Sequence, residues 1–267
     1  MKLIAKLAPL FEGEWAPFAE TLACVPRPPE PAVRVADILN PELGMLADIL
    51  QRQAKYQCTP DLRPVASAWS LYYLWALLPP MIAGSTVLQH GFPTAPEEMW
   101  LTMSKDGIPE CFYILHEGQS MSGQDTMARH GGLLTQHLQP LFSALTRASK
   151  LAPKLLWGNA ARYLDNIFEQ ALMLTDQAPH VAQDRAVLLG NPKWPNGQHN
   201  PMYGQQKEID AMEEPSGRLR LHRQCCLYYL LPRESYCTAC PLAPRLRPIS
   251  NRADASYTSL LLGEARK

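Results

Sequence analysis

The chain has 267 residues, 46% of them hydrophobic and 19% charged, which excludes an intrinsically disordered segment and allows a sizeable buried core. Its 25 Lys and Arg balance 25 Asp and Glu, so no global charge draws it to nucleic acid or to an anionic membrane surface. Twenty-five prolines against 15 glycines predict short helices with stiff connections rather than a long coiled coil.

The opening MKLIAKLAPLFEGEW has two lysines and a short apolar run, but Glu12 and Glu14 follow at once. It is too short and too acidic for a secretory signal, which points to a reducing cytoplasm. Residues 1–34 are proline-rich and predict loose structure, with PRPPEPAVR (26–34) as a linker. Ile38, Leu43, Leu46, Ile49 and Leu50 then recur at helical spacing, with Asn40 as N-cap and Pro41 in the first turn. Residues 64–89 carry no charge and no histidine, a length that would permit a membrane span. Pro79-Pro80 interrupts them, and Ser67, Ser70, Ser85, Thr86 and Gln89 dilute the apolar character. The expectation is no transmembrane span but two buried core helices meeting at a Pro-Pro corner.

MWLTMS (99–104) and CFYILH (111–116) flank Asp106-Gly107, a hairpin signal. GQSMSGQD (118–125) predicts a loop. Helical spacing returns from about 135 to 175, with Pro140 and Pro153 in first turns. There Leu156, Ala160, Tyr163, Ile167, Ala171 and Leu174 share one face, and Asn159, Arg162 and Asn166 another. Residues 190–205 read as a polar loop bearing Trp194, His199 and Tyr203, and a helix or strand over Leu219–Leu231 leads on. The fold class is α+β, mainly helical. It has a small hairpin or sheet mid-chain and a helical C-terminal half carrying a cysteine loop. A single domain over 1–267 is expected, with sub-lobes at 35–130 and 131–267.

Four of the seven cysteines, Cys225, Cys226, Cys237 and Cys240, fall within sixteen positions as C-C-x10-C-x2-C. The odd total and the lack of an export signal disfavour disulfides. Structural zinc favours two C-x2-4-C knuckles, and only Cys237-x2-Cys240 makes one. Neighbouring side chains diverge by about 100° on a helix or point to opposite faces of a strand, so Cys225 and Cys226 suit one small ion poorly. A two-iron cluster is larger and also takes four thiolates. Spacing therefore favours iron–sulfur and leaves zinc open.

Other residues invite sharper and blander readings. Arg218, Arg220, His222, Arg223, Arg233, Arg245 and Arg247 crowd the cysteines and either offset thiolate charge or form a solvated basic face. Trp157-Gly158-Asn159 could line a substrate groove, since a glycine inside a helix marks a close approach, most often of another helix. Cys24, Cys58 and Cys111 read as ordinary thiols, and Asp125, His130 and His137 match no strong metal motif. The chain has no P-loop, no G-x-G-x-x-G after a strand and no G-x-S-x-G, which argues against nucleotide or flavin binding by the usual motifs.

The cysteine pattern resembles that of ferric siderophore reductases of the FhuF type. Softer similarity covers Trp69, Tyr72-Tyr73 and Pro79-Pro80, the stretch KLLWGN (154–159), and the overall length. The resemblance implies a [2Fe–2S] cluster on Cys225, Cys226, Cys237 and Cys240. It also implies one-electron reduction of iron held by hydroxamate-type siderophores, in the cytoplasm or loosely associated with the inner membrane. The electron would come from an external donor, a ferredoxin-like protein or a flavin reductase, and no nucleic acid takes part. Trp157, Asn159, Arg162, His222 and Arg223 are candidate substrate contacts, and His222 or Tyr236 could protonate a departing hydroxamate. Two alternatives remain. One is a binding module stabilised by zinc on the four cysteines; the other is an iron–sulfur redox sensor, for which no DNA-binding output module is visible.

Overall fold

The computed structural model describes residues 4–210 and 218–243; Arg245 and Arg247 lie outside the described residues. The N-terminal stretch is built into the core rather than loose. It makes 3-10 turns at Ala8–Leu10 and Gly13–Glu20, then β1 (Leu22–Cys24) and β2 (Val33–Arg34). Phe11, Phe18 and Leu22 are buried, so apolar side chains between the prolines order the segment.

Next come α1 (Val35–Leu39) and α2 (Met45–Tyr56). Between them the Asn40 carboxamide accepts the Glu42 N–H at 3.0 Å, capping a 3-10 turn at Pro41–Leu43. Helix α3 (Leu62–Ile82) is the core rod, opened by Asp61, which accepts the Arg63 N–H at 3.0 Å. The expected Pro-Pro corner is absent: α3 runs straight through Pro79 and Pro80, and a π-helical segment, Ala83–Val87, follows. Each interior proline costs about 3 kcal/mol of helix stability. Burial outweighs that cost, since 17 of the 21 residues of α3 are buried. By length and apolarity the span Leu62–Val87 could cross a membrane, but 89% of its most apolar window is packed inside the fold.

The middle of the chain adds β3 (His90–Gly91), β4 (Met99–Met103), β5 (Pro109–Ile114) and β6 (Gln119–Ser120). Strands β4 and β5 form the expected hairpin, with Gly107 in the left-handed region at φ 82° as its turn requires. Trp69 of α3 donates its indole N–H to the Gly107 carbonyl at 2.9 Å, pinning the turn to the core. One sheet has the order β1-β5-β4-β2, with β1 parallel to β5 and the other pairs antiparallel. The predicted loop at 118–125 contributes β6, paired with β3. Leu101, Phe112 and Ile114 belong to the main core, whereas Ala23, Cys111 and Tyr113 form a small cluster of their own, as period-two alternation dictates.

Helices α4 (Thr126–Gly132), α5 (Gln139–Ser149), α6 (Pro153–Leu174) and α7 (Pro179–Arg185) follow, with π-helical segments at Leu133–Leu138 and Ala186–Gly190. Pro140 and Pro153 sit in first turns as expected. Of the predicted apolar face of α6 all but Leu174 is buried. Helices α6 and α3 meet through Asn159, whose amide donates to Ser67 Oγ at 3.1 Å and Ser70 Oγ at 3.0 Å. The antiparallel hairpin of β7 (Gln206–Asp210) and β8 (Arg218–His222) then delivers the chain to the cysteines.

Candidate metal centre

Strand β8 ends at His222, whose N–H bonds the Ala239 carbonyl at 2.9 Å and so ties the Cys-x2-Cys knuckle to the hairpin. Arg162 of α6 fixes the other limb: its Nη2 donates to the Gln224 carbonyl, immediately before Cys225, at 3.1 Å. Gly158, one turn earlier, lets α6 approach Gln224; a Cβ there would stand 3.2 Å from Gln224 Cβ. The glycine signal at 157–159 thus marks the cysteine loop.

All four cysteines of the motif meet. Cys225 and Cys240 Sγ are 3.9 Å apart. Cys226 touches both Cys225 and Cys237, and Cys237 touches Cys240, so the sulfurs close a ring. Adjacent cysteines share it because residues 225–227 are neither helix nor strand, and Leu227 takes a left-handed conformation at φ 60°. The turn aims backbone amides at sulfur. Leu227 N–H reaches Cys225 Sγ at 3.3 Å, Tyr228 N–H bonds Cys226, and Leu242 N–H bonds Cys240. Cys226, Cys237 and Cys240 are buried and Cys225 is half-buried. Thiol–thiol contacts hold Cys226 and Cys240 well below the usual thiol range and push Cys225 and Cys237 above it. Ligation would take all four as thiolates. Among the described residues no three His, Cys, Asp or Glu side chains converge on a single metal ion. Four neighbouring thiol donors with amide N–H···S bonds suit an iron–sulfur cluster.

Two polar side chains stand against this ring. Arg162 is 5% exposed and its charge acts on Cys226 and Cys237. His222 is pushed down to about 4, first by burial and then by Arg162, which makes it a poor proton donor at neutral pH. Tyr236 stacks on Tyr229 at 4.5 Å. Of the other candidate contacts, Trp157 packs edge-on against Phe142 and Trp194, Asn159 spends its amide N–H groups between α3 and α6, and Arg223 is exposed. Arg218 pairs with Glu208, and Arg220 with Glu169 and Asp165, so these two belong to a charged hairpin face.

The other sequence candidates are structural. Asp125 caps α4, and His130 lies with Asp184, Ser85 and Thr86 in a buried network. His137 Nδ1–H donates to the Thr94 carbonyl at 2.8 Å while its Nε2 accepts from Tyr73 at 2.7 Å. Asp165 was missed at sequence level, although it lies three residues after Arg162 on α6. It holds Arg185 at 2.6 Å and also binds Gln206.

A partly buried ring of four thiols under directed amides fits the ligand set of an iron–sulfur protein. The family model described as a ferric iron reductase FhuF-like transporter matches residues 67–228, more than half of the chain. The model for the FhuF 2Fe–2S C-terminal domain matches residues 223–242, the whole cysteine loop. The chain therefore belongs to the FhuF-type ferric siderophore reductases, iron–sulfur oxidoreductases with a [2Fe–2S] cofactor. Among curated relatives, a ferric siderophore reductase of Escherichia coli (strain K12) is 23% identical over 207 residues, 77% of this chain and 76% of that protein. Among solved structures, ATP-bound aerobactin synthetase IucA from a hypervirulent pathotype of Klebsiella pneumoniae superposes with a TM-score of 0.52 at 15% identity. That match covers 65% of this chain but only 37% of the synthetase, and it shows a shared fold.

Proposed function

We propose that this chain reduces ferric iron held by hydroxamate-type siderophores in the cytoplasm, with Cys225, Cys226, Cys237 and Cys240 as the cluster ligands. The observation that carries the reading is the ring of four thiols served by the Leu227, Tyr228 and Leu242 amides. When bound, the [2Fe–2S] group supplies electrons one at a time. The protein's own residues do the rest. Arg162 clamps the loop, the amides tune the sulfurs, and burial of three cysteines limits water while half-buried Cys225 keeps one edge near the surface. Hard oxygen donors hold Fe(III) far better than Fe(II), so a single electron releases the metal without nucleophile or general base. An external one-electron donor is required, because the chain lacks the usual nucleotide and flavin motifs.

The proposal treats residues 1–267 as one reductase domain, supported by a continuous apolar core running from Ile4 to Cys240. Loose association with the inner membrane finds no support, since the apolar helix α3 is spent inside the fold. The test is iron and acid-labile sulfide analysis of anaerobically purified wild type and of each Cys→Ser variant. Two irons and two sulfides per chain, lost on every one of the four substitutions and kept in Cys58→Ser, is the expected result. One stoichiometric zinc in wild type would overturn it in favour of a structural zinc module on the same four cysteines.

A further inference from the structure

Beside the sulfur ring lies a cavity of about 430 Å³ between α6, α7 and the chain entering β7. Its polar floor is Arg162, Asp165, Arg185, Gln205, Gln206 and His222. Two of these, Arg162 and His222, are the side chains that also stand against the cysteines, so floor and thiols share a wall. Ala161, Leu172, Leu189 and Met202 supply its apolar lining. Ala182, Ala186 and Gly190 line it while exposed to solvent, and they form its rim. The oxygen Oε1 of Gln205 is buried without a hydrogen-bond partner among the described residues.

Resting on the reductase reading, we propose that this cavity seats one spacer arm of the siderophore: the methylene–amide segment that joins two iron-bound hydroxamates. Three features select that chemistry. The volume falls at the low end of the roughly 300–1,000 Å³ typical of ligand pockets, enough for a spacer arm. The apolar side chains suit methylene groups, and Gln205, Gln206 and His222 line the cavity with amide and imidazole groups that suit a spacer amide. An arm seated there leaves the iron centre on the His222 side, next to the thiols. The cavity holds substrate by its arm, and discrimination among siderophores follows from spacer length rather than from the iron coordination they share.

Redox-inert gallium(III) complexes test the inference on oxidised holoprotein. The probes are gallium desferrioxamine B, whose three hydroxamates are joined by methylene–amide spacers, and gallium tris(acetohydroxamate), which has the same coordination and no arms. Binding is read by titration calorimetry for wild type and for Ala186→Trp and Ala182→Trp, which fill the rim from two exposed positions. Wild type should bind the armed complex at least tenfold tighter than the armless one. Both variants should lose that advantage, with cluster content and the rate of reoxidation by ferricyanide unchanged. Equal binding of the two complexes, no binding of either, or undiminished binding in both variants overturns the cavity assignment. The reductase reading is judged separately by whether wild type reduces the ferric complexes at all.

Discussion

Gly158 offers the most direct structural test of how α6 supports the cysteine loop. An ideal Cβ at this position would stand 3.2 Å from Gln224 Cβ and 3.4 Å from Gln224 Cγ, and Gln224 immediately precedes Cys225. In Gly158→Ala the neighbour yields by a few tenths of an ångström. Removing a helix-interior glycine gains up to about 1 kcal/mol, so the two effects largely cancel. Gly158→Leu is different. Its Cγ extends one further bond, about 1.5 Å, into space that Gln224 Cβ already fills. Overpacking of this kind costs about 1–3 kcal/mol, which here falls on the segment that orders the sulfurs. The assay is the half-life of the visible cluster absorption under excess chelator, run anaerobically. Alanine should leave it within a few-fold of wild type. Leucine should shorten it about tenfold or more, 1.4 kcal/mol being a factor of ten. Gln224→Gly, by removing the opposing Cβ, should recover part of the loss in the double variant. A Gly158→Leu protein that keeps its cluster as long as wild type refutes the reasoning.

Arg162→Gln removes the 3.1 Å bond to the Gln224 carbonyl, and leaving that group unpaired costs about 1–3 kcal/mol; chelator-driven cluster loss should accelerate roughly tenfold, and Arg162→Lys should restore little of it. Asn159→Ala should lower stability by about 1–3 kcal/mol in denaturant titrations through its lost bonds to Ser67 and Ser70, while gallium desferrioxamine B binds as to wild type; weakened binding would return Asn159 to the substrate site. Buried His137 is pushed from 6.5 to about 4 by desolvation, so the folded chain keeps it neutral where the unfolded chain protonates it. Its contribution is full above pH 6.5 and is lost as pH falls toward 4, roughly 3 kcal/mol in all. Denaturant titrations from pH 7.5 to 4.5 should show that slope, flattened in His137→Gln, and an unchanged slope in the variant would contradict the assignment.

What could be read from the sequence was local. C-C-x10-C-x2-C displays four ligands within sixteen residues, and the β4–β5 hairpin displays its Asp-Gly turn within a single window. The cavity was illegible because α6, α7, residues 202–206 and His222 of β8 meet only in the folded chain, and Asp165 looks like any helix-surface carboxylate until Arg185 and Gln206 close on it. Gly158 announced a close approach, but its partner Gln224 lies 66 residues away, beyond any periodicity argument. The Pro79-Pro80 expectation failed for a different reason. Local propensity predicted a corner, and tertiary burial of nearly all of α3 overrode it. Leu227 at φ 60° escaped because leucine carries no sequence signal for a left-handed turn, and that turn is what lets two adjacent cysteines share one site.

The central claim is most directly tested by a single anaerobic turnover. Holoprotein is reduced with dithionite, freed of excess reductant and mixed in a stopped-flow cell with ferrioxamine B and an Fe(II)-specific chelator. The account predicts that the oxidised cluster spectrum returns as Fe(II) appears, one per chain, and that Cys226→Ser protein gives neither signal. A reduced holoprotein whose spectrum does not change while ferrioxamine remains ferric would contradict it.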